Sequence, residues 1–187
     1  LAANLRVEKN PLLAARAARL LRPESQVRIE HFGAVLDEAL ADEARAEMTA
    51  NGRYHWMGAA SPASLRKRLA ASQALIVPSD VEAGANIVSE AVVDGVPILA
   101  SRIPGNTGVL GGRYSGYFTP GDAGELAQLL HELETSPAFA RRLRATIDEV
   151  AKTLRPSEEK RCWRRVLNDI VVKLEKPSAR AKGSSGL

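Results

Sequence analysis

The sequence has 187 residues, of which 45% are hydrophobic and 26% charged, and its formal net charge is +4 at pH 7. This composition is typical of a globular chain with a sizeable core, and it excludes the disordered, collagen-like and membrane classes. The basic residues do not form a dense run interleaved with aromatic residues, so the charge indicates a modest preference for anionic ligands and no nucleic-acid partner.

The cysteine content and the apolar runs indicate where the protein resides. The single cysteine, Cys162, cannot form an intramolecular disulfide, which is typical of a reducing compartment. The longest apolar runs are too short to span a bilayer, and no signal-peptide pattern opens the chain. We therefore expect a cytoplasmic protein without a transmembrane segment. The opening residues, LAANLRVEKNP, resemble the end of a strand that leads into a helix, so we expect the chain to be a fragment.

Short strands and helices alternate over the first part of the chain. The predicted strands are apolar or alternating runs that end at Gly, Pro or Ser, and they span residues 27–33, 53–58, 74–78, 96–101 and 116–118. The predicted helices before and between them span residues 11–21, 36–48, 62–71 and 86–94. Strands separated by such helices predict an α/β fold with a Rossmann-like parallel sheet flanked by helices, formed by residues 1–122.

Only helical patterns follow this layer. Three apolar stripes at helical spacing mark three helices, and they consist of Leu126, Leu129, Leu130 and Leu133, then Phe139, Leu143, Ile147, Val150 and Leu154, and then Trp163, Val166, Leu167, Ile170 and Leu174. We expect residues 123–175 to form C-terminal helices that pack on the same domain. The tail, residues 176–187, is poor in apolar residues and is predicted to be disordered.

The candidate ligand site lies in the segment EAGANIVSE, residues 82–90, which follows the third predicted strand. Ligands bind at the carboxyl ends of strands in open α/β sheets. Gly84 allows close approach of the backbone to a ligand, and the N–H groups that open the next helix suit a phosphate. Glu82 in the loop and Glu90 in the helix can border one crevice, where their carboxylates suit pairs of sugar hydroxyls. The alternative is a solvated face, because the helix dipole favours acids near a helix N-terminus.

Several ordered motifs together resemble the carboxyl-terminal half of GT-B glycosyltransferases of family 4 (group 1), retaining enzymes that use nucleotide sugars. VPSDVEAGANIVSEAVVDGVPILAS matches the family's strand, its two glutamates, its turn and the next strand. ANLRVEKNP matches the family's lysine-bearing loop, and RIPGNTGVLG matches its glycine-bearing loop. The resemblance covers about residues 1–135.

The resemblance implies roles for individual residues. Glu90 would bind the ribose hydroxyls of the nucleotide and Glu82 the hydroxyls of the transferred sugar, while Lys9 would neutralise the diphosphate. Glu82 and Lys9 are thus the predicted catalytic residues. The backbone amides of Gly84, Ala85 and Asn86 would hold phosphate or sugar.

Other residues of the predicted donor site are less firmly matched. The family's usual arginine five residues before the lysine is Asn4 here, with Arg6 nearby as a substitute, and the usual Glu-Gly opening is EAG. Gly105, in the glycine-bearing loop, is also predicted to bind the donor. Ser79 and Ser101 each come at the end of a predicted strand, where a serine can either contact the donor or hydrogen-bond the strand end, and the sequence favours neither role. We count Ser79 among the donor-binding residues.

A narrower resemblance concerns the acceptor. EAGANIVSEAV, SRIPGNTGVLG and YSGYFTPGD are similar to the selenosugar synthase branch of selenoneine biosynthesis, which implies transfer from a UDP-sugar to selenophosphate. The resemblance also implies that an N-terminal acceptor domain is missing and that this chain alone is inactive. Two alternatives remain: half of a UDP-sugar epimerase, and a non-catalytic nucleotide-binding module.

The predicted mechanism needs no cofactor and no metal. Breaking the anomeric bond places negative charge on the departing diphosphate, which Lys9 and a helix N-terminus would stabilise. His31, His55 and His131 lie in separate predicted elements, and no Asp-x-Asp pair follows a strand. This pattern argues against a metal site or a catalytic triad.

Overall fold

The computed structural model describes residues 1–82, 86–154 and 156–175. Its contacts divide the chain into two units, Leu1–Ala151 and Lys152–Leu187. The predicted disordered tail, residues 176–187, lies outside the described residues. Among the residues that are described, no helix is long and apolar enough to cross a membrane.

The elements follow the predicted alternation of strand and helix. The strands are β1 (Ile29–Phe32), β2 (Tyr54–Gly58), β3 (Leu75–Val77), β4 (Ile98–Ser101) and β5 (Tyr117–Phe118). The helices are α1 (Leu13–Arg19), α2 (Glu38–Ala50), α3 (Pro62–Ala70), α4 (Asn86–Val93), α5 (Pro104–Leu110), α6 (Ala123–Thr135), α7 (Pro137–Thr153) and α8 (Pro156–Glu175). A short 3-10 turn, Val7–Lys9, precedes α1. The predicted fold class, a Rossmann-like parallel α/β layer flanked by helices, is confirmed.

One helix was not predicted. Helix α5 falls in the segment RIPGNTGVLG, whose glycines favour a loop. Pro104 lies in the first turn of α5, where a proline loses no hydrogen bond and its fixed φ suits a helix. The result is that a helix begins three residues after β4 ends, so its first turn lies at the carboxyl end of that strand.

The strands form two hydrogen-bonded parallel sheets. One sheet pairs β1 with β2, and the other has the order β3-β4-β5. The first residues of the chain extend the β1–β2 sheet, since Ala2 pairs with Phe32 and Leu5 with Val35, both in parallel. A cavity of about 570 Å³ is lined by residues of both sheets, among them Ile29 of β1 and Ile76 of β3.

Burial explains why these strands and helices form. Every residue of β3 and β4 is buried, as expected for parallel strands covered on both faces. The stripes of α6 and α7 also face the core of the first unit, and their buried members are Leu126, Leu130, Phe139, Leu143 and Ile147. In the second unit, Trp163, Val166, Leu167 and Ile170 of α8 are exposed.

Candidate donor-binding site

The candidate site is built where β3 ends. The 3-10 turn Val7–Lys9 is tied to the loop after β3, because the Asp80 N–H donates to the Glu8 carbonyl at 2.9 Å. Asn10 closes the turn in the left-handed region with φ 42°, and its side-chain amide lies 3.4 Å from an Asp80 carboxylate oxygen. Arg16 donates to the Asn10 Oδ1 at 2.7 Å. The two contacts of Asp80 join segments that are about 70 residues apart in sequence.

The two predicted catalytic residues contact each other. Lys9 Nζ donates to Glu82 Oε1 in an ion pair that spans 73 residues of sequence. Ser79 Oγ donates to the same carboxylate oxygen at 2.9 Å. The Lys9 and Glu82 side chains are only 19% and 10% exposed, so solvent screens this pair less than it screens a surface pair. Two donors therefore hold the Glu82 carboxylate in one orientation.

Helix α4 carries the second predicted glutamate. Asn86 is the first residue of α4 and Glu90 lies one turn further, and both are exposed. The neighbouring cation, Arg66, is engaged by Asp94 through two hydrogen bonds of 2.9 and 3.2 Å. No described residue donates a hydrogen bond to the Glu90 carboxylate, which is thus accessible to a ligand. Gly84 and Ala85 lie outside the described residues.

Behind Glu82 lies a group of small polar residues from β4 and α5. Gly105 packs so closely on the loop that a Cβ there would be 2.2 Å from the Glu82 carbonyl oxygen. Ser101 Oγ donates to the Ser79 carbonyl, and Asn106 Nδ2 donates to the Ser101 carbonyl at 2.9 Å. Sequence reasoning missed Asn106, since the segment that contains it was predicted to be a loop. The one signal in the sequence was that Asn106 directly follows Gly105, the glycine of the family's glycine-bearing loop.

The predicted donor-binding residues at the start of the chain have polar partners other than Lys9 and Glu82. Asn4 Oδ1 accepts from the Ala34 N–H at 2.9 Å, so this side chain closes the end of the segment beside β1. Arg6 is exposed and forms an ion pair with Glu8 at 3.0 Å. Among the described residues, neither side chain forms a hydrogen bond or an ion pair with Glu82. Donor binding by Asn4 and Arg6 stays a prediction.

His31 is buried and has structural partners. Its Nε2 lies 2.8 Å from the Ala3 carbonyl oxygen, which can only accept, so Nε2 carries the proton. Nδ1 then accepts from the Tyr54 hydroxyl at 2.6 Å. Burial lowers the pKa of His31 to about 4, so the ring is neutral at pH 7. Within the described ranges, no group of three or more His, Cys, Asp and Glu side chains could hold a metal ion.

The arrangement suits one class of ligand. A cation, a partly buried carboxylate and an exposed carboxylate border the carboxyl end of β3, which is the usual position for ligands of open α/β sheets. The ammonium group can bind phosphate oxygens, and the carboxylates can accept from hydroxyl groups. A molecule that combines a diphosphate with two sugars satisfies all three groups at once.

Comparisons with known proteins show the family of the chain and its fold. The family model described as Glycosyl transferases group 1 matches residues 2–152. A comparison with curated proteins gives no match.

Solved structures share the fold at low sequence identity. Anabaena Alr3699/HepE in complex with UDP superposes with a TM-score of 0.76 at 18% identity, covering 89% of this chain and 48% of that protein. The trehalose 6-phosphate synthase of Burkholderia multivorans gives a TM-score of 0.76 at 13% identity, covering 98% of this chain and 44% of that one. The sucrose-phosphate synthase of Thermosynechococcus elongatus gives 0.72 at 20% identity, covering 93% and 46%. The chain thus spans about half the length of these proteins, and the likeness confirms the predicted relation to a GT-B fold.

Proposed function

The chain belongs to the group 1 glycosyl transferases, and from that premise we propose that it binds the UDP-sugar donor of a retaining glycosyltransferase. The observation that carries the proposal is the contact of Lys9 with Glu82 at the carboxyl end of β3, on the loop that leads to Glu90. The Anabaena protein, which has the same fold, has been crystallised with UDP and with UDP-glucose. This supports uridine as the base.

The two glutamates have different parts in the proposal. Glu90 accepts hydrogen bonds from the ribose hydroxyls, which suits an exposed carboxylate without a described hydrogen-bond donor. Glu82 accepts from hydroxyls of the transferred sugar, which suits a carboxylate already oriented by Ser79 and Lys9. Asn86, Gly84 and Ala85 would add backbone donors at the start of α4, and Gly105 would keep space for the sugar beside Glu82.

Lys9 has a double contact in this proposal. An ammonium group carries three N–H donors, so Lys9 can keep its bond to Glu82 while it also donates to a diphosphate oxygen. Negative charge grows on that oxygen as the anomeric bond breaks, so Lys9 stabilises the transition state more than the ground state. We propose that this charge stabilisation takes the place of a metal ion.

Selenophosphate is the proposed acceptor, and it rests on the motifs EAGANIVSEAV, SRIPGNTGVLG and YSGYFTPGD. Transfer requires a second domain that positions the acceptor, because oriented reactants can lower a barrier by about 7–11 kcal/mol. We therefore expect UDP release with selenophosphate from the whole natural protein and none from this chain alone. Turnover of a UDP-sugar without any acceptor would favour an epimerase instead. Comparable transfer by this chain would show that no second domain is needed.

Calorimetry tests donor binding directly. The chain should bind UDP more tightly than ADP, and Glu90→Ala should weaken both UDP and UDP-glucose by about tenfold or more, because a charged acceptor is lost. Glu82→Ala should weaken UDP-glucose and spare UDP. Glu43→Ala, which removes an exposed glutamate of α2, is the matched control and should change neither affinity. Equal binding of UDP and ADP would contradict the proposal, and equal losses for both ligands in both site variants would contradict the division of roles.

A further inference from the structure

A chain of hydrogen bonds, which we call the strand-end network, runs behind the Glu82 carboxylate through Ser79, Ser101 and Asn106. Ser79 Oγ donates to Glu82 Oε1 at 2.9 Å, and Ser101 Oγ donates to the Ser79 carbonyl. Asn106 Nδ2 donates to the Ser101 carbonyl at 2.9 Å and lies 3.3 Å from Ser101 Oγ. Ser79 is 1% exposed, and Ser101 and Asn106 are completely buried.

The donors and acceptors of this network fix its direction. A serine hydroxyl has one proton, and Ser101 gives that proton to Ser79, so its oxygen is left to accept from the Asn106 amide. Asn106 therefore holds the Ser101 rotamer, and Ser101 holds the backbone of Ser79. Ser79 in turn holds the carboxylate. The neighbouring Gly105 brings the start of α5 against the Glu82 backbone. Helix α5 therefore contacts the backbone of Glu82 through Gly105 and is connected to its carboxylate through Asn106.

Fold stability does not account for an amide at position 106. Its Oδ1 is buried and has no hydrogen-bond partner among the described residues. A buried polar atom without a partner destabilises a fold, whereas an apolar side chain of similar shape would not. The amide group is thus explained by what its nitrogen does, which is to donate to Ser101.

We propose that Asn106 and Ser101 are positioning residues that orient Glu82 through Ser79 and thereby set the preference for a sugar nucleotide over the nucleotide alone. This inference rests on the proposed function. Neither residue touches the donor, because both are completely buried. Their effect is confined to the sugar end of the ligand, since Glu82 is the group they orient.

The test compares the affinities of two ligands, UDP and UDP-glucose, by calorimetry on the 187-residue chain. Asn106→Leu should raise the Kd of UDP-glucose about tenfold and change that of UDP by less than about twofold. Its melting temperature should not fall, because the unpaired oxygen is removed and the Ser101 carbonyl keeps the Ile103 N–H as a donor at 2.9 Å. Asn51→Leu is the matched control: Asn51 is also a buried asparagine, which donates to the Ala15 carbonyl at 3.0 Å. That variant should lose stability and keep the ratio of the two affinities.

Two further measurements make the outcome decisive. Ser101→Ala breaks the same network at another point and should change the ratio of the UDP-glucose and UDP Kd values in the same way. This variant therefore tests the inference even if Asn106→Leu does not fold. The carbon-13 chemical shift of the Glu82 carboxyl group, measured without ligand, should change in both variants. An unchanged ratio and an unchanged shift would overturn the inference while the proposed function stands. If the wild type binds neither ligand, the proposed function fails, and the carboxyl shift alone decides whether Asn106 positions Glu82.

Discussion

Two of the places where the first unit buries polar side chains differ in how completely the hydrogen bonds of those side chains are satisfied. At β1 and β2, both ring nitrogens of His31 have a partner, the Ala3 carbonyl and the Tyr54 hydroxyl. At β3 and β4, the strand-end network leaves Asn106 Oδ1 without a described partner and ends on a partly exposed ion pair. The comparison indicates that the first group stabilises the fold, whereas the second positions a carboxylate at some cost to stability.

The largest expected effect is on the β1 side, at Gly33. A Cβ there would be 1.8 Å from the Ala3 carbonyl oxygen. To relieve this clash, the backbone of β1 or of residues 1–5 would have to move and lose packing. We expect Gly33→Ala to lower the free energy of unfolding by about 3 kcal/mol, measured by urea denaturation. Gly52→Ala is the control, because a Cβ at Gly52 meets nothing within 4 Å. Indistinguishable unfolding curves for the two variants would show that the contact between residues 1–5 and β1 is not tight.

Acid should destabilise the β1 side through His31. The pKa of His31 in the folded protein, about 4, lies below the ordinary histidine value of 6.5, so the unfolded chain binds the proton first. Above pH 6.5 the ring is neutral in both states, and between pH 6.5 and 4 stability falls as pH falls, by about 3 kcal/mol in total. Unfolding free energies of the wild type and His31→Gln, measured from pH 7 to 4, should converge as the pH falls. Parallel curves would contradict the buried neutral ring.

Tyr54→Phe should lower the free energy of unfolding by a smaller amount. The variant removes the donor to His31 Nδ1 and leaves a buried nitrogen unpaired, which costs about 1–2 kcal/mol. Thermal unfolding should show the loss, while the Kd of UDP should stay at the wild-type value. A changed Kd with unchanged stability would mean that the β1 side takes part in ligand binding.

The smallest expected effect is on the site side, and it appears in binding rather than in unfolding. Gly105→Ala places a Cβ 2.2 Å from the Glu82 carbonyl oxygen, so the loop must move. We expect the Kd of UDP-glucose to rise about tenfold, which is about 1.4 kcal/mol. Gly108→Ala in the same helix meets nothing within 4 Å and should leave the Kd unchanged. If both variants bind UDP-glucose like the wild type, the close approach of α5 does not matter to the site.

The sequence predicted those parts of the structure that depend on local pattern. Strands β3 and β4 are continuous apolar runs, and both lie where they were predicted, with ends shorter by one or two residues. The resemblance assigned Lys9 and Glu82 separately to one donor site, and the structure brings the two side chains into contact. Helix α5 was not predicted, because the low helix propensity of its glycines hides the helix start that Pro104 marks. The role of Asn106 could not be predicted at all, since it depends on hydrogen bonds to residues that only the folded chain brings near.

The separation of the strands into two sheets has a mechanical consequence for the site. Residues 1–5 are bonded to β1, and they lead directly into the turn that carries Lys9. Glu82 follows β3, which belongs to the other sheet. The Lys9–Glu82 ion pair therefore bridges the seam between the two sheets, near the place where Asp80 and Glu8 are also joined. A small shear of one sheet against the other would change the separation of the ammonium and carboxylate groups, so the geometry of this ion pair depends on how the two sheets are placed.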